Sequence, residues 1–293
     1  MDGRDTMRIG ELSRRSGVST GLLRMWERRY GVPEPSRTEG GQRVYTTADE
    51  RRVREMQRSI EDGLPASAAA RLVRYAGAED PPPGAAGDDL RSGLGRALAR
   101  FDETAANEVL DRALARFSVP WVLAEVVLPY LGELGSGWED GTVSIAEEHV
   151  ATMVLRGRLL GLARNWGSGA GPRALLAAPP GEHHDLGLIC FGLGLREAGW
   201  RITLLGPNSP GSSIAEAAEV LEPAAIVVAG MDGRLLDAAA AELRALARRR
   251  RLLLAGPGAS APLAARIGAE LLTEAPMEAA RRLSGEPPAP PPA

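Results

Sequence analysis

The 293 residues are too many for one ordinary core and point to two or three domains. Hydrophobic content of 44%, charged content of 25%, no apolar run long enough to span a bilayer, an N-terminus charged from Asp2 onward and a single Cys190 together argue against a membrane protein, a secreted precursor or a disulfide scaffold, and favour a cytoplasmic globular protein. The net charge of −3 is uneven: residues 1–75 hold 15 Arg against 11 Asp and Glu, the remainder 20 Arg against 27, and a basic N-terminal part on an acidic chain hints at nucleic acid.

Three units follow in chain order: about 1–76, 88–167 and 172–284. They are separated by a Pro-, Gly- and acid-rich linker at 77–87 and by Gly167–Gly171, and are followed by a Pro-rich tail at 285–293 that reads as disordered. In the first unit, Ile9 to Ser16 is a short helix broken by Gly17, and Ser19 caps a second. Leu22, Leu23, Trp26 and Tyr30 give that second helix an apolar stripe, while Thr20, Arg24 and Arg28 share another face. A helix of this kind packs on its neighbour and presents arginines to a major groove. Glu34 to Tyr45 forms a hairpin turning at Gly40-Gly41, with Arg37 and Arg43 on its arms. Thr47-Ala-Asp-Glu50 reads as a capping box opening a third helix, which buries Val53, Met56 and Ile60 and stops at Gly63. A plain helical domain with solvated arginines fits the same pattern.

The second unit reads as four helices, at 89–99, 102–116, 119–135 and 145–166. The third is apolar nearly all round and is expected to kink at Pro129. Gly135–Val143 reads as a loop holding Trp138. Ser144-Ile-Ala-Glu147 is a second capping box, which places Glu148 and His149 in the first turns of helix four. The ordinary reading of these residues is a core or lid aromatic and a polar first turn.

The third unit alternates short apolar runs (Ala174–Ala178, Ile202–Leu205, Ala225–Ala229, Leu252–Ala255 and a weak Glu270–Leu272) with helical segments. This rhythm predicts a doubly wound, mostly parallel, Rossmann-like sheet, so the fold class is multidomain, α and α/β. Ligands of such sheets bind beyond the carboxyl ends of the strands, and the first such loop is Pro179–Gly187. All three histidines of the chain lie there or beside Glu148. His184 is the candidate metal ligand, Glu182 can hold its second ring nitrogen, and Gly187 permits close approach of a bulky group. The loop Pro-Pro-Gly-Glu-His-His-Asp lacks the glycine pattern of a dinucleotide site. A lone His lacks the convergent ligands of zinc. No Ser/His/Asp or Cys/His set points to hydrolysis, and Cys190 sits in an apolar helix as packing.

The string Ile9-Gly-Glu-Leu-Ser, Gly-Val-Ser, Leu-Arg24-Met-Trp26-Glu27-Arg28-Arg29-Tyr30-Gly31, Pro35, Arg37, Gly40-Gly41-Gln-Arg43-Val-Tyr45 resembles the winged-helix domain of MerR-type transcription regulators, from about Met7 to Tyr75. The resemblance implies a module that binds a double-stranded DNA operator in pairs, through Arg24 and Arg28 of the recognition helix and Arg37, Arg43 and Tyr45 of the wing. Trp26 and Leu12 are assigned to the core. Glu182-x-His184-x-x-Gly187 resembles the signature of proteins that bind cobalamin base-off, in which the His is the lower axial ligand of cobalt. Trp138, nine residues, then Glu148-His149 is similar to the signature of CarH-like, B12-dependent photoreceptor regulators, in which these residues cover the adenosyl group of adenosylcobalamin. Together the resemblances imply a non-enzymatic transcriptional repressor. Its self-association, as dimer or tetramer, and its DNA affinity would depend on a bound alkylcobalamin. Two departures stand out. The position after the Trp, a His in that family, is Glu139. The later cobalamin signatures survive only as Ala229-Gly230-Met231 and Ala255-Gly256. A regulator without photochemistry or without cofactor, and a B12 methyl-carrier component, are the alternatives.

Overall fold

The computed structural model describes residues 6–38, 40–61, 66, 69, 70, 73 and 84–285. The helix stop expected at Gly63, most of the linker at 77–87 and all but the first residue of the tail at 285–293 lie outside the described residues. The chain forms two compact units, Met1–Pro82 with Asp111–Ser118, and Pro83–Leu110 with Val119–Ala293.

In the first unit, β1 (Thr6–Met7), α1 (Ile9–Ser16), α2 (Thr20–Tyr30), β2 (Ser36–Arg37), β3 (Arg43–Thr46) and α3 (Thr47–Glu61) follow in order. The Ser19 hydroxyl accepts from the Leu22 N–H and opens α2, while Gly17 and Gly31 close α1 and α2 in the left-handed region. β3 is the middle strand of an antiparallel sheet ordered β1-β3-β2. The helical stripes meet in one core with Leu12, Leu23, Trp26, Val53 and Met56. The cap of α3 lies one residue before the expected Thr47–Glu50 box. Thr46 Oγ1 accepts from the Asp49 N–H at 3.2 Å, and Asp49 Oδ2 accepts from the Thr46 N–H at 2.8 Å.

The second unit begins with α4 (Ala85–Leu98) and the start of α5 (Glu103–Arg116), whose residues from Asp111 on belong to the first unit. A long helical passage then runs through α6 (Val119–Val122), a π-turn (Leu123–Val127) and α7 (Leu128–Glu139), followed by α8 (Ile145–Leu162). At Pro129, where a kink is expected, the turn before it is widened, and the Leu128 N–H donates five residues back to the Leu123 carbonyl. A proline ring crowds the carbonyl four residues earlier, and a wide turn relieves that crowding. Trp138, expected in a loop, lies in the last turn of α7. The helix runs on through Gly135 and Gly137, and the connection is only Asp140–Val143 before Ser144 caps α8 by accepting from the Glu147 N–H.

Five parallel strands follow: β4 (Arg173–Ala177), β5 (Arg201–Gly206), β6 (Ala225–Ala229), β7 (Leu252–Ala255) and β8 (Glu270–Leu271), in the order β5-β4-β6-β7-β8. Alternate residues of β4, β6 and β7 (Leu175, Ile226, Leu252 and their i+2 neighbours) pack on α10 (Gly211–Leu221), α11 (Gly233–Ala238), α12 (Ala240–Ala247) and α13 (Ala261–Ile267). The other face takes α9 (Leu186–Glu197), which packs against α14 (Pro276–Gly285). From Leu188 to Leu195 this helix is buried all round, so that stretch shows no polar stripe. A Cβ at Gly192 would come within 2.9 Å of Leu176 of the sheet, and one at Gly194 within 2.9 Å of Ala280 of α14.

Ile226 is fully buried and lies in register between Leu175 and Leu252. Ile226→Ala is expected to cost about 2–5 kcal/mol, because the flanking strands cannot close the cavity. A urea unfolding series should show this as a lower midpoint with unchanged slope.

Candidate cofactor and nucleic-acid sites

The chain leaves β4, passes through 178–185 and enters α9, then forms β5 and crosses to β6 on the other side of β4. This reversal of winding opens a crevice at the carboxyl ends of β4 and β6, where open α/β sheets take ligands. Glu182 sits at its base with its side chain only 2% exposed. Its Oε1 accepts from the His184 backbone N–H at 3.0 Å and lies 2.6 Å from His184 Nδ1. Its Oε2 accepts from the Met231 N–H at 2.6 Å and the Asp232 N–H at 3.4 Å, both in the loop after β6. The loop after β5 braces the other side: Asn208 Oδ1 accepts from the Gly181 N–H, and the Asn208 N–H donates to the Glu182 carbonyl.

Burial pushes the Glu182 carboxyl up, but the hydrogen bonds from His184, Met231 and Asp232 outweigh it and hold its pKa below the ordinary value. An ionised carboxylate only accepts, so Nδ1 of His184 carries a proton and Nε2 is the nitrogen left to bind a ligand. The side chain is 69% exposed, so that nitrogen is accessible to a ligand. A Cβ at Gly187 would meet no protein atom within 4 Å, and Leu205 and Met231 are exposed apolar residues at the same sheet end. Among the described residues no three His, Cys, Asp or Glu side chains converge on a metal-ion position. One free imidazole nitrogen, open space above it and an apolar rim fit a metal that arrives already held in a large planar ring.

On the helical side, Trp138 is exposed in the last turn of α7. Ile145, His149 and Met153 recur at i, i+4 and i+8 and share one exposed face of α8. Glu148 Oε2 lies 2.8 Å from His149 Nδ1, and its Oε1 accepts from Thr152 Oγ1 at 2.9 Å. Glu139 is exposed at the C-terminus of α7, where the helix dipole disfavours an acid, and makes no ion pair among the described residues.

In the first unit Arg24, Arg28 and Arg37 are exposed. The other two expected wing contacts are engaged within the protein. Arg43 Nε donates to Glu27 Oε1 of α2 at 2.7 Å while remaining half-exposed. Tyr45 is a correction: its exposure is 0%, and its hydroxyl donates to Glu27 Oε2 at 3.0 Å. The Tyr45 ring is therefore core, and together with Arg43 it pins the wing to the recognition helix. Glu27 was not singled out from the sequence, although it is the acid between Arg24 and Arg28.

A family model described as MerR HTH family regulatory protein matches residues 7–76, and one described as B12 binding domain matches residues 90–160. The chain is 34% identical over 230 residues to the HTH-type transcriptional repressor CarH of Myxococcus xanthus, covering 74% of this chain and 76% of that protein. It is also 34% identical over 232 residues to the HTH-type transcriptional repressor CarA of the same organism, covering 78% of each. Among solved structures, the Methanosarcina barkeri monomethylamine corrinoid protein superposes with a TM-score of 0.58 at 17% identity, over 67% of this chain and 98% of that one. At that identity the likeness is one of fold.

The buried phenol has a measurable consequence. Burial first, then the hydrogen bond to Glu27, raises the Tyr45 pKa to about 12. A raised folded pKa contributes stability that is present below the unfolded value, near 10, and is lost as pH rises through about 12. Melts between pH 9 and 12 should show Tyr45→Phe losing less stability with rising pH than wild type, and its phenolate absorbance should lack one late step.

Proposed function

The chain belongs to the family of HTH-type transcriptional repressors that includes CarH and CarA, and from that premise we propose that cobalamin held at His184 sets its state of self-association and hence its grip on DNA. It is a DNA-binding regulator with a B12-binding module, not an enzyme. The observation that carries the proposal is the Glu182–His184 pair, which fixes the imidazole tautomer and leaves Nε2 facing open space. His184 would hold the cobalt through Nε2. Glu182 orients it, and Gly187 leaves room for the corrin. Trp138, Glu148 and His149 would cover the bound cofactor and exclude water from it. Adenosylcobalamin, when bound, would supply a light-sensitive cobalt–carbon bond.

The physical scheme is linkage. A ligand that binds one assembly state more tightly shifts the population toward that state by its differential affinity. A single winged helix gains strongly when several copies dock together. The module at 1–76 reads a double-stranded operator through Arg24 and Arg28 in the major groove and Arg37 on the backbone. Arg43, paired with Glu27, adds positive charge at the wing. The modules at 88–167 and 172–284 hold the cofactor, and the whole works as a cytoplasmic repressor. Glu139 favours a second reading, in which the chain senses an alkylcobalamin but forms no light product with a second protein ligand, because a carboxylate is a poorer cobalt ligand than imidazole.

Gel filtration with adenosylcobalamin in the dark, and again after green light, tests the proposal. Wild type should elute as a larger species in the dark and a smaller one after light. His184→Ala should stay small and lack the spectrum of imidazole-bound cobalamin. Identical elution and spectra for both proteins would refute the assignment, and a dark assembly indifferent to light would select the second reading. Arg24→Ala should weaken operator binding by about 1–3 kcal/mol in a titration at fixed salt, if Arg24 reads a base edge.

A further inference from the structure

Asp185 follows His184 and stands at the N-cap of α9, its carbonyl accepting from the Ile189 N–H at 2.9 Å. An aspartate there ordinarily turns its carboxylate onto the free N–H groups of the first turn. This one makes no such bond. Both its oxygens instead take the guanidinium of Arg156 on α8: Nε lies 3.2 Å from Oδ1 and 3.0 Å from Oδ2, and Nη2 lies 3.0 Å from Oδ2. The Asp185 side chain is 3% exposed, so Arg156 is what compensates this charge inside the protein. Arg156 lies on the helix that carries the upper-face residues. Glu148, Thr152 and Arg156 recur every four residues, with Thr152 bonded to Glu148 and Glu148 to His149. A line of polar side chains thus runs down α8 from the upper-face residues to the neighbour of His184, and α8 packs on α9.

We propose that Arg156 and Asp185 are positioning residues. Their forked pair fixes the height of α8 over the cofactor face relative to the His184 loop, and so determines which upper groups on cobalt the protein accepts. The proposal rests on cobalamin binding at His184. A held spacing suits one size of upper group, and a released one accepts large and small alike. Arg is required rather than Lys because only the planar fork fixes both distance and angle.

The test compares wild type with Arg156→Met, Arg156→Lys and the exchanged pair Arg156→Asp with Asp185→Arg, each first shown by circular dichroism to be folded. Spectral titration with adenosylcobalamin and with methylcobalamin gives the ratio of the two Kd values. Arg156→Met should still reach the imidazole-bound spectrum at saturation, while its preference between the two ligands falls at least tenfold. Arg156→Lys should fall part of the way, and the exchanged pair should recover part of the loss. In the cofactor-free protein, hydrogen exchange at residues 182–189 should quicken in Arg156→Met with the β6 and β7 amides unchanged. Equal weakening toward both ligands, with the ratio intact, or unchanged exchange in the loop overturns the proposal. Failure of wild type to bind either corrinoid is a different result: it refutes the assignment of His184 and takes this inference with it.

Discussion

One buried carboxylate governs the shape of the cofactor crevice. Placing a charge at the base of a sheet costs several kcal/mol unless it is compensated by donors. Glu182 receives its donors from two loops: the backbone and ring of His184 after β4, and the Met231 and Asp232 amides after β6. These loops adjoin because β4 and β6 are neighbours although β5 lies between them in sequence. The strand order brings the donors together, the donors keep the acid ionised, and the ionised acid fixes which ring nitrogen of His184 remains free. Without the carboxylate the loop after β4 has no anchor across the crevice and the imidazole no defined tautomer.

The first unit uses an acid in a related way. Glu27 lies on the recognition helix yet faces the wing, where its two oxygens take Arg43 and Tyr45. The wing is thereby held at a set angle to α2. A protein that docks a helix in one groove and a hairpin beside it needs that angle fixed beforehand, because ordering it on binding costs conformational entropy. The division of labour is clear along the chain: Arg24, Arg28 and Arg37 are exposed, while Tyr45 and half of Arg43 serve the frame.

Local signals were legible in the sequence, and distant ones were not. Ser19 and Ser144 cap helices as read, since a cap involves only the next three residues. The cap of α3 slipped by one because Thr46 and Thr47, and Asp49 and Glu50, offer two registers of the same box. Glu182 and His184 are two residues apart, so their pairing could be inferred, whereas Met231 and Arg156, which complete the same loop, lie 49 and 29 residues from the residues they bind. Gly135–Val143 reads as a loop, yet the helix runs on through Trp138. Gly137 makes room for the returning chain: a Cβ there would lie 2.6 Å from Val143, whose N–H donates to the Gly137 carbonyl. Tyr45 was misplaced because the two-residue strand β1 that pairs Met7 with it leaves almost no pattern of its own.

The π-turn at Leu123–Val127 carries a consequence for Trp138, eleven residues beyond its end. A π-turn is an α-helix with one residue inserted, and each residue advances the helix by about 100°. Everything downstream, Trp138 included, is rotated by that amount relative to an uninterrupted helix. The azimuth of the indole is therefore recorded in the length of a segment that never approaches it. Regularising Leu123–Val127 at its full length would swing the tryptophan off the side it now occupies, whereas removing a single residue from the turn would leave it there, with every residue of the crevice unaltered in both cases.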